Sequence, residues 1–227
     1  MSSTSSSRFL SLQAFGQAWH PLDASLSVSF FMSGCCALIY QLAWQRLLYG
    51  VIGVDTDSVT IIVSVFMLGI GLGGALGGWL ADVAPRHRLR IYIAVELGIA
   101  VYGAMSVWIF PALDDWVLRQ GWVESRSWSA ALSFAVLCVP TVLMGMTLPI
   151  LTLAFNERRE NIGVSVGTLY FVNTLGAAMG AMLVPFVLLP IMALDRVIAL
   201  AVCGNVLVAA FAWMASRQAN SSEEVRP

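Results

Sequence analysis

Gly69-Ile-Gly71-Leu-Gly73-Gly74-Ala-Leu-Gly77-Gly78-Trp-Leu-Ala-Asp82-Val-Ala-Pro85-Arg86-His87-Arg88-Leu-Arg90 is the stretch whose reading decides the fold. Its first part is apolar and sets glycines one helical turn apart, Gly69/Gly73/Gly77 and Gly74/Gly78. That spacing lets a second helix approach closely inside a membrane. Its last part is a short arginine-rich loop, and arginines beside an apolar span mark the cytoplasmic side. The stretch therefore predicts both a bilayer setting and a direction of insertion.

The rest of the chain agrees in character. It has 227 residues, 59% of them hydrophobic and 11% charged, with a mean hydropathy of +0.81. A soluble domain carries about 25% charged residues, so this chain cannot cover a surface facing water. The net charge of -1 excludes the basic footprint of a nucleic-acid-binding protein. Cys35, Cys36, Cys138 and Cys203 lie in apolar stretches without CxxC spacing. They read as small buried side chains, with no metal site and no cofactor implied.

A spanning helix needs about 20 apolar residues. Six candidates satisfy this: 25–49, 57–81, 90–111, 128–154, 163–188 and 190–216. Residues 1–24 and 217–227 are then tails, the first serine-rich and without a cleavable signal. Pro185, Pro190, Asp195 and Arg196 mark a short turn between the last two spans. With the amino terminus inside, Arg8, Arg86, Arg88, Arg90, Arg158, Arg159, Arg217 and Arg226 are internal. Arg46, Arg119, Arg126 and Arg196 are external. The excess of internal arginine places both termini in the cytoplasm and the chain in the cell inner membrane. Trp44, Tyr49, Trp108, Trp116, Trp122 and Trp128 are expected at the outer ends of spans as an aromatic belt. The segment 112–127, with Asp114, Asp115, Trp116, Trp122 and Glu124, is expected outside the membrane, as a loop or as an amphipathic segment lying on the outer surface.

Leu72-Gly73-Gly74-Ala75-Leu76-Gly77 in span two resembles Leu175-Gly176-Ala177-Ala178-Met179-Gly180 in span five. Spans one to three and four to six then look like two copies of one unit. Three is odd, so the copies are inverted in the membrane, as in each half of the major facilitator carriers. The expected fold is an all-α integral membrane bundle of six transmembrane helices, resembling one such half. Gly69, Gly73, Gly77, Gly176 and Gly180 are its helix-packing residues. Gly69-x-Gly71-x-x-Gly74 matches a dinucleotide fingerprint by letter only, because that fingerprint needs a strand, a turn and a helix start in water. Gly78, Asp82, Arg86 and Arg88 resemble the loop signature between the second and third helices of major facilitator carriers, with Pro85 in place of the usual glycine.

A closer resemblance follows from a set of motifs. These are Gly34-Cys-Cys-Ala37-Leu38-Ile39-Tyr40-Gln41-Leu-Ala-Trp44-Gln45-Arg46, Phe66-Met67-x-Gly69, Gly77-Gly78-x-Leu80-Ala81-Asp82 and Glu96-Leu97-Gly98. Pro140-Thr141-x-Leu143-Met144-Gly145-x-Thr147-Leu148-Pro149 and Leu169-Tyr170-x-x-Asn173-Thr174-Leu175-Gly176 complete the set. Together, over about residues 27–210, they resemble the spermidine-synthase-like membrane proteins, the fused major facilitator/spermidine synthase family. Gln41 stands where that family usually has an acid. Its members often continue into a cytoplasmic aminopropyltransferase-like domain. The sequence up to Pro227 holds no such stretch, so the resemblance carries no site for decarboxylated S-adenosylmethionine.

Ionisable and polar groups in spans are costly and point to sites. The candidate ligand-binding residues are Tyr40, Gln41, Arg46, Glu96 and Asn173. Glu96 is expected to bond Tyr92 or Asn173, or to pair with Arg158 or Arg159, and Arg46 to pair with Asp55 or Asp57. Asn173 and Asn205 are mid-span amides suited to bonds between helices. Pro140 and Pro149 bend span four. No catalytic set of residues is visible. The expectation is therefore a non-catalytic, multi-pass membrane subunit in contact with lipid, which docks a protein partner such as a soluble spermidine-synthase-like enzyme. The alternative is a half-size transporter, a homodimer acting on a polyamine or other cation. Neither reading makes the chain an enzyme.

Overall fold

The structure, a computed structural model, describes residues 21–52, 56–120, 126–159 and 162–223. Those residues form six long helices: α1 Pro21–Ile52, α2 Thr56–Val83, α3 Arg88–Gln120, α4 Arg126–Arg159, α5 Ile162–Leu183 and α6 Leu194–Glu223. There is no strand among them. Each helix contains a stretch long and apolar enough to cross a membrane.

The helices are apolar on more than one side, which distinguishes them from the amphipathic helices of a soluble bundle. One side packs inward. Phe30, Trp44, Phe66, Phe110 and Phe155 are fully buried. The other side shows large apolar groups outward, such as Phe186 at 75% and Trp108 at 71% exposure. Such an outer surface suits hydrocarbon contact and would be a liability in water.

Three helix pairs dominate the packing: α2 with α4, α1 with α5, and α3 with α6, and α1 also lies along α6. Missing side chains make the first two pairs close. A Cβ at Gly73 would strike the Val142 carbonyl and come within 2.9 Å of the Gly145 Cα. One at Gly77 would reach 2.6 Å from the Met146 Cα, and one at Gly145 would strike the Ile70 carbonyl. Across the molecule, Gly176 abuts the Phe31 carbonyl, Gly180 the Cys35 carbonyl, and Gly34 the carbonyl of Asn173. Gly71 and Gly74 face open space.

Prolines shape the helices locally. Pro140 has no amide hydrogen, so the Val136 carbonyl, four residues earlier, has no helical donor. Tyr102 fills that gap, its hydroxyl donating to the Val136 carbonyl at 2.5 Å. Around Pro185, Val184–Leu188 winds as a single π-helical turn, and the wider turn relieves the ring's crowding of the preceding turn. Leu189–Ile191 completes the element, and Met192 is extended (φ -144°, ψ 155°), which breaks the chain before α6.

Two expectations need correction. Residues 112–120 are helical, not loop, because α3 continues through Pro111 to Gln120. At 1.5 Å per residue its 33 residues extend about 50 Å, well beyond a hydrocarbon core of about 30 Å. The end holding Asp114 and Asp115 is the natural part to project past the core. Trp44 is not a belt residue: it is fully buried, because its indole N–H finds the Ser106 hydroxyl at 2.9 Å and its ring stacks on Tyr40 at 4.8 Å. The last apolar span ends at Arg217, and α6 continues past it as helix to Glu223. Residues 1–20, Asp55, Trp122, Glu124 and Arg226 lie outside the described residues, as do the side chains of Asp57, Arg158 and Arg159.

Candidate functional site: a buried carboxylate between three helices

Glu96 sits on α3 where α1 and α6 meet it, and it is completely buried. A carboxylate in such a place needs compensation, since burying an uncompensated charge costs several kcal/mol or more. Two neutral donors reach it. The Ser33 hydroxyl on α1 donates to Oε1 at 2.6 Å, and the Asn205 amide on α6 donates to Oε2 at 2.5 Å. No arginine among the described residues pairs with it. Tyr92 lies one turn earlier on α3, a spacing that stacks two side chains on one helix face. Its hydroxyl lies within hydrogen-bonding influence of Glu96 and Ser33, as expected of Tyr92, although no bond of full geometry forms there.

Buried polar atoms are nearly always satisfied, and exceptions call for an explanation. Here the Tyr92 hydroxyl and the Asn205 Oδ1 are both buried and both without a partner. The Tyr40 hydroxyl, also fully buried, is a third such atom. It lies further along the same junction. Ser33 faces Glu96, Tyr40 faces Gly103 and Trp44 faces Ser106, so α1 and α3 run in the same direction. A Cβ at Gly103 would come within 2.5 Å of the Tyr40 hydroxyl, so glycine is what admits the phenol. Above it, Trp44 stacks on Tyr40 and meets Tyr102 edge-on at 5.5 Å. The junction thus has an oxygen-lined layer around Glu96 and an aromatic layer beside it.

The expected ligand residues divide. Glu96 and Tyr40 share this junction. Gln41 is half-buried and Arg46 is exposed; Arg46 lies thirteen residues beyond Ser33 on α1, or about 20 Å along its axis. Asn173 packs against Gly34 on another face of α1 and is not a partner of Glu96. Ser33 and Asn205 take that role instead. Asn205 carried a signal, as an amide in mid-span. Ser33 carried none, because small hydroxyls are common in apolar helices. At the arginine-rich loop, Pro85–His87 forms a short 3-10 turn, and the Arg88 Nε donates to the Ala81 carbonyl at 2.9 Å, capping α2. Gly78 is half-buried near Pro149, and Asp82 and Arg86 are exposed.

A bundle of six long apolar helices with a polar layer at its centre is the class of protein that this architecture defines. No family model matches the chain, and no solved structure is similar to it. Among curated proteins it is similar to polyamine aminopropyltransferase 2 of Streptomyces coelicolor, at 29% identity over 164 residues, covering 70% of this chain and 28% of that protein. Polyamine aminopropyltransferase 1 of the same organism is 28% identical over 167 residues, covering 73% and 29%. The polyamine aminopropyltransferase of Corynebacterium efficiens is 27% identical over 192 residues, covering 82% and 34%. Each match therefore takes in most of this chain and about a third, or less, of the relative. These relatives are named as enzymes. Their names overturn the expectations of a non-catalytic docking subunit, of a half-size transporter and of a chain that is no enzyme.

Proposed function

We propose that the chain serves a polyamine aminopropyltransferase, as the section of that enzyme that crosses the membrane. The observation that carries this reading is the similarity to three proteins of that name across 70%, 73% and 82% of the chain. The motifs quoted above for the spermidine-synthase-like membrane proteins support the same assignment. In this reading the reaction is transfer of an aminopropyl group from the sulfonium of decarboxylated S-adenosylmethionine to an amine nitrogen of a polyamine: a C–N bond forms, the C–S bond breaks, methylthioadenosine leaves and the amine gives up a proton. The helices are the part of the enzyme held in the bilayer, in the inner membrane with both termini cytoplasmic.

The same proposal takes the six helices as two inverted three-helix units, the architecture of half a major facilitator carrier. Its support is a repeated contact register. The spacing that carries Gly73 to Gly176 also carries Gly77 to Gly180 and Ile70 to Asn173. The spacing that carries Phe31 to Val142 also carries Cys35 to Met146 and Gly34 to Gly145. Under these two shifts, the contacts Gly73–Val142, Gly77–Met146 and Gly145–Ile70 correspond to Gly176–Phe31, Gly180–Cys35 and Gly34–Asn173. Tight glycine contacts recur by chance in apolar helices, but a shared register for three of them points to duplication.

The direct test uses membranes of the native host, with and without the chain, supplied with putrescine and decarboxylated S-adenosylmethionine. Spermidine formation that falls when the chain is deleted is the expected result. Equal formation in both membranes would remove the reading.

A further inference from the structure

We infer that the junction of α1, α3 and α6 binds a primary alkylammonium group against Glu96. The inference rests on the proposed polyamine function for the identity of the amine; the need for a cation comes from the geometry alone. Glu96 is fully buried and its two hydrogen-bond partners, Ser33 and Asn205, are neutral. Its carboxylate keeps unused acceptor capacity, since two oxygens offer about four lone-pair sites. Next to it are two buried oxygens without partners, the Asn205 Oδ1 and the Tyr92 hydroxyl. An ammonium has three N–H donors and no acceptor. The carboxylate, the amide oxygen and the phenol oxygen match that set, and the charge is neutralised in the same step.

Two simpler occupants fit less well. A proton on Glu96 cancels the charge with a single donor, whereas the carboxylate's free lone pairs and the Asn205 Oδ1 together offer several acceptor sites. A hard metal cation such as calcium or magnesium takes six or more oxygen ligands, and the junction gathers oxygen from Glu96, Ser33, Tyr92 and Asn205, with aromatic rings beyond. The stack of Tyr40, Trp44 and Tyr102 along the same face suits an organic cation, because aromatic faces attract ammonium groups. A diamine held at Glu96 would extend its methylene chain toward these rings.

The experiment is equilibrium binding of radiolabelled putrescine to the full chain in mild detergent at near-neutral pH and constant ionic strength. Saturable binding of one putrescine per chain is expected, displaced by spermidine and not by choline or sodium. Glu96→Gln keeps the shape and removes the charge; it should weaken binding by about tenfold or more, the scale of a lost charge-assisted bond. Tyr92→Phe removes a hydroxyl that makes no bond of full geometry in the structure and keeps the ring; it should weaken binding by about threefold to tenfold. If Tyr92 and Glu96 merely packed the junction, Tyr92→Phe would leave binding unchanged. The inference is overturned if the folded wild-type chain shows no saturable binding, if sodium displaces putrescine as well as spermidine does, or if Tyr92→Phe and a folded Glu96→Gln bind like wild type. Failure of the parent reading looks different. Putrescine binding that needs Glu96, in a system where deleting the chain leaves spermidine formation unchanged, keeps the site and drops the enzyme. Chain-dependent spermidine formation with binding indifferent to Glu96 does the reverse.

Discussion

The seam between α2 and α4 and the junction of α1, α3 and α6 solve helix association in opposite ways. The seam depends on absent atoms: Gly73, Gly77 and Gly145 let the two backbones touch. The junction depends on side chains, with Ser33, Glu96 and Asn205 bonded across three helices and aromatic rings stacked beside them. In a bilayer the hydrophobic effect does little to hold helices together, so close packing and interhelical hydrogen bonds are the available means. The difference teaches where to look for function. On α4 a single hydroxyl, that of Thr152, is buried without a partner, whereas the junction sets an unpartnered Asn205 Oδ1 directly beside a buried carboxylate.

Breaking the seam should have the largest effect. In Gly73→Leu, the new side chain meets backbone on α4 at both Val142 and Gly145, which cannot yield as a side-chain tip can. A loss of about 3 kcal/mol or more is expected, the upper end for overpacking, read as the midpoint of unfolding in mixed SDS micelles. An unchanged midpoint would mean that α2 and α4 are not in contact as described. The junction should be less brittle. Trp44→Phe keeps an aromatic ring but loses the indole bond to Ser106, at a cost of about 1 kcal/mol; a larger loss than Gly73→Leu would invert the comparison.

Tyr102→Phe sharpens it further. The lost bond to the Val136 carbonyl should cost about 0.6 kcal/mol, typical of bonds between membrane helices. In a Pro140→Ala background the helix supplies its own donor to that carbonyl, so the same substitution should become nearly neutral. Equal losses in both backgrounds, measured as a double-mutant cycle, would show that the proline does not create the need for Tyr102. Smallest of all is Gly74→Ala. Open space surrounds the new methyl group, and alanine is the better helix former by up to about 1 kcal/mol, so the midpoint should hold or rise slightly. A clear fall would place a neighbour on that face.

The six helices and their apolar character were legible because each needs only a local run of about 20 apolar residues. The burden on Glu96 was legible as well, since an acid in an apolar span must be compensated wherever it points. Tyr92 could be placed beside it by the one-turn spacing within α3. Its partners on other helices could not. Asn173 and Asn205 are both mid-span amides, and no local pattern says which of them turns toward α3. Likewise Tyr40, Gln41 and Arg46 are near neighbours in sequence, yet α1 buries the first, half-buries the second and exposes the third.

Composition spoke of helices apolar enough to cross a membrane, and the motif set of a resemblance to spermidine-synthase-like proteins. The similarity to named aminopropyltransferases then corrected the function inferred from a missing catalytic set, because most of each relative lies outside the match. What the sequence by itself determined is the apolar character of the chain, the number of long helices and the presence of one acid that cannot be left bare. These follow from residue type and period within one helix. What only the tertiary structure decided is the rotation and register of each helix against its neighbours. Those set Ser33 and Asn205 on Glu96, put Tyr40 over Gly103 and buried Trp44, because they arise from packing between segments far apart in the chain.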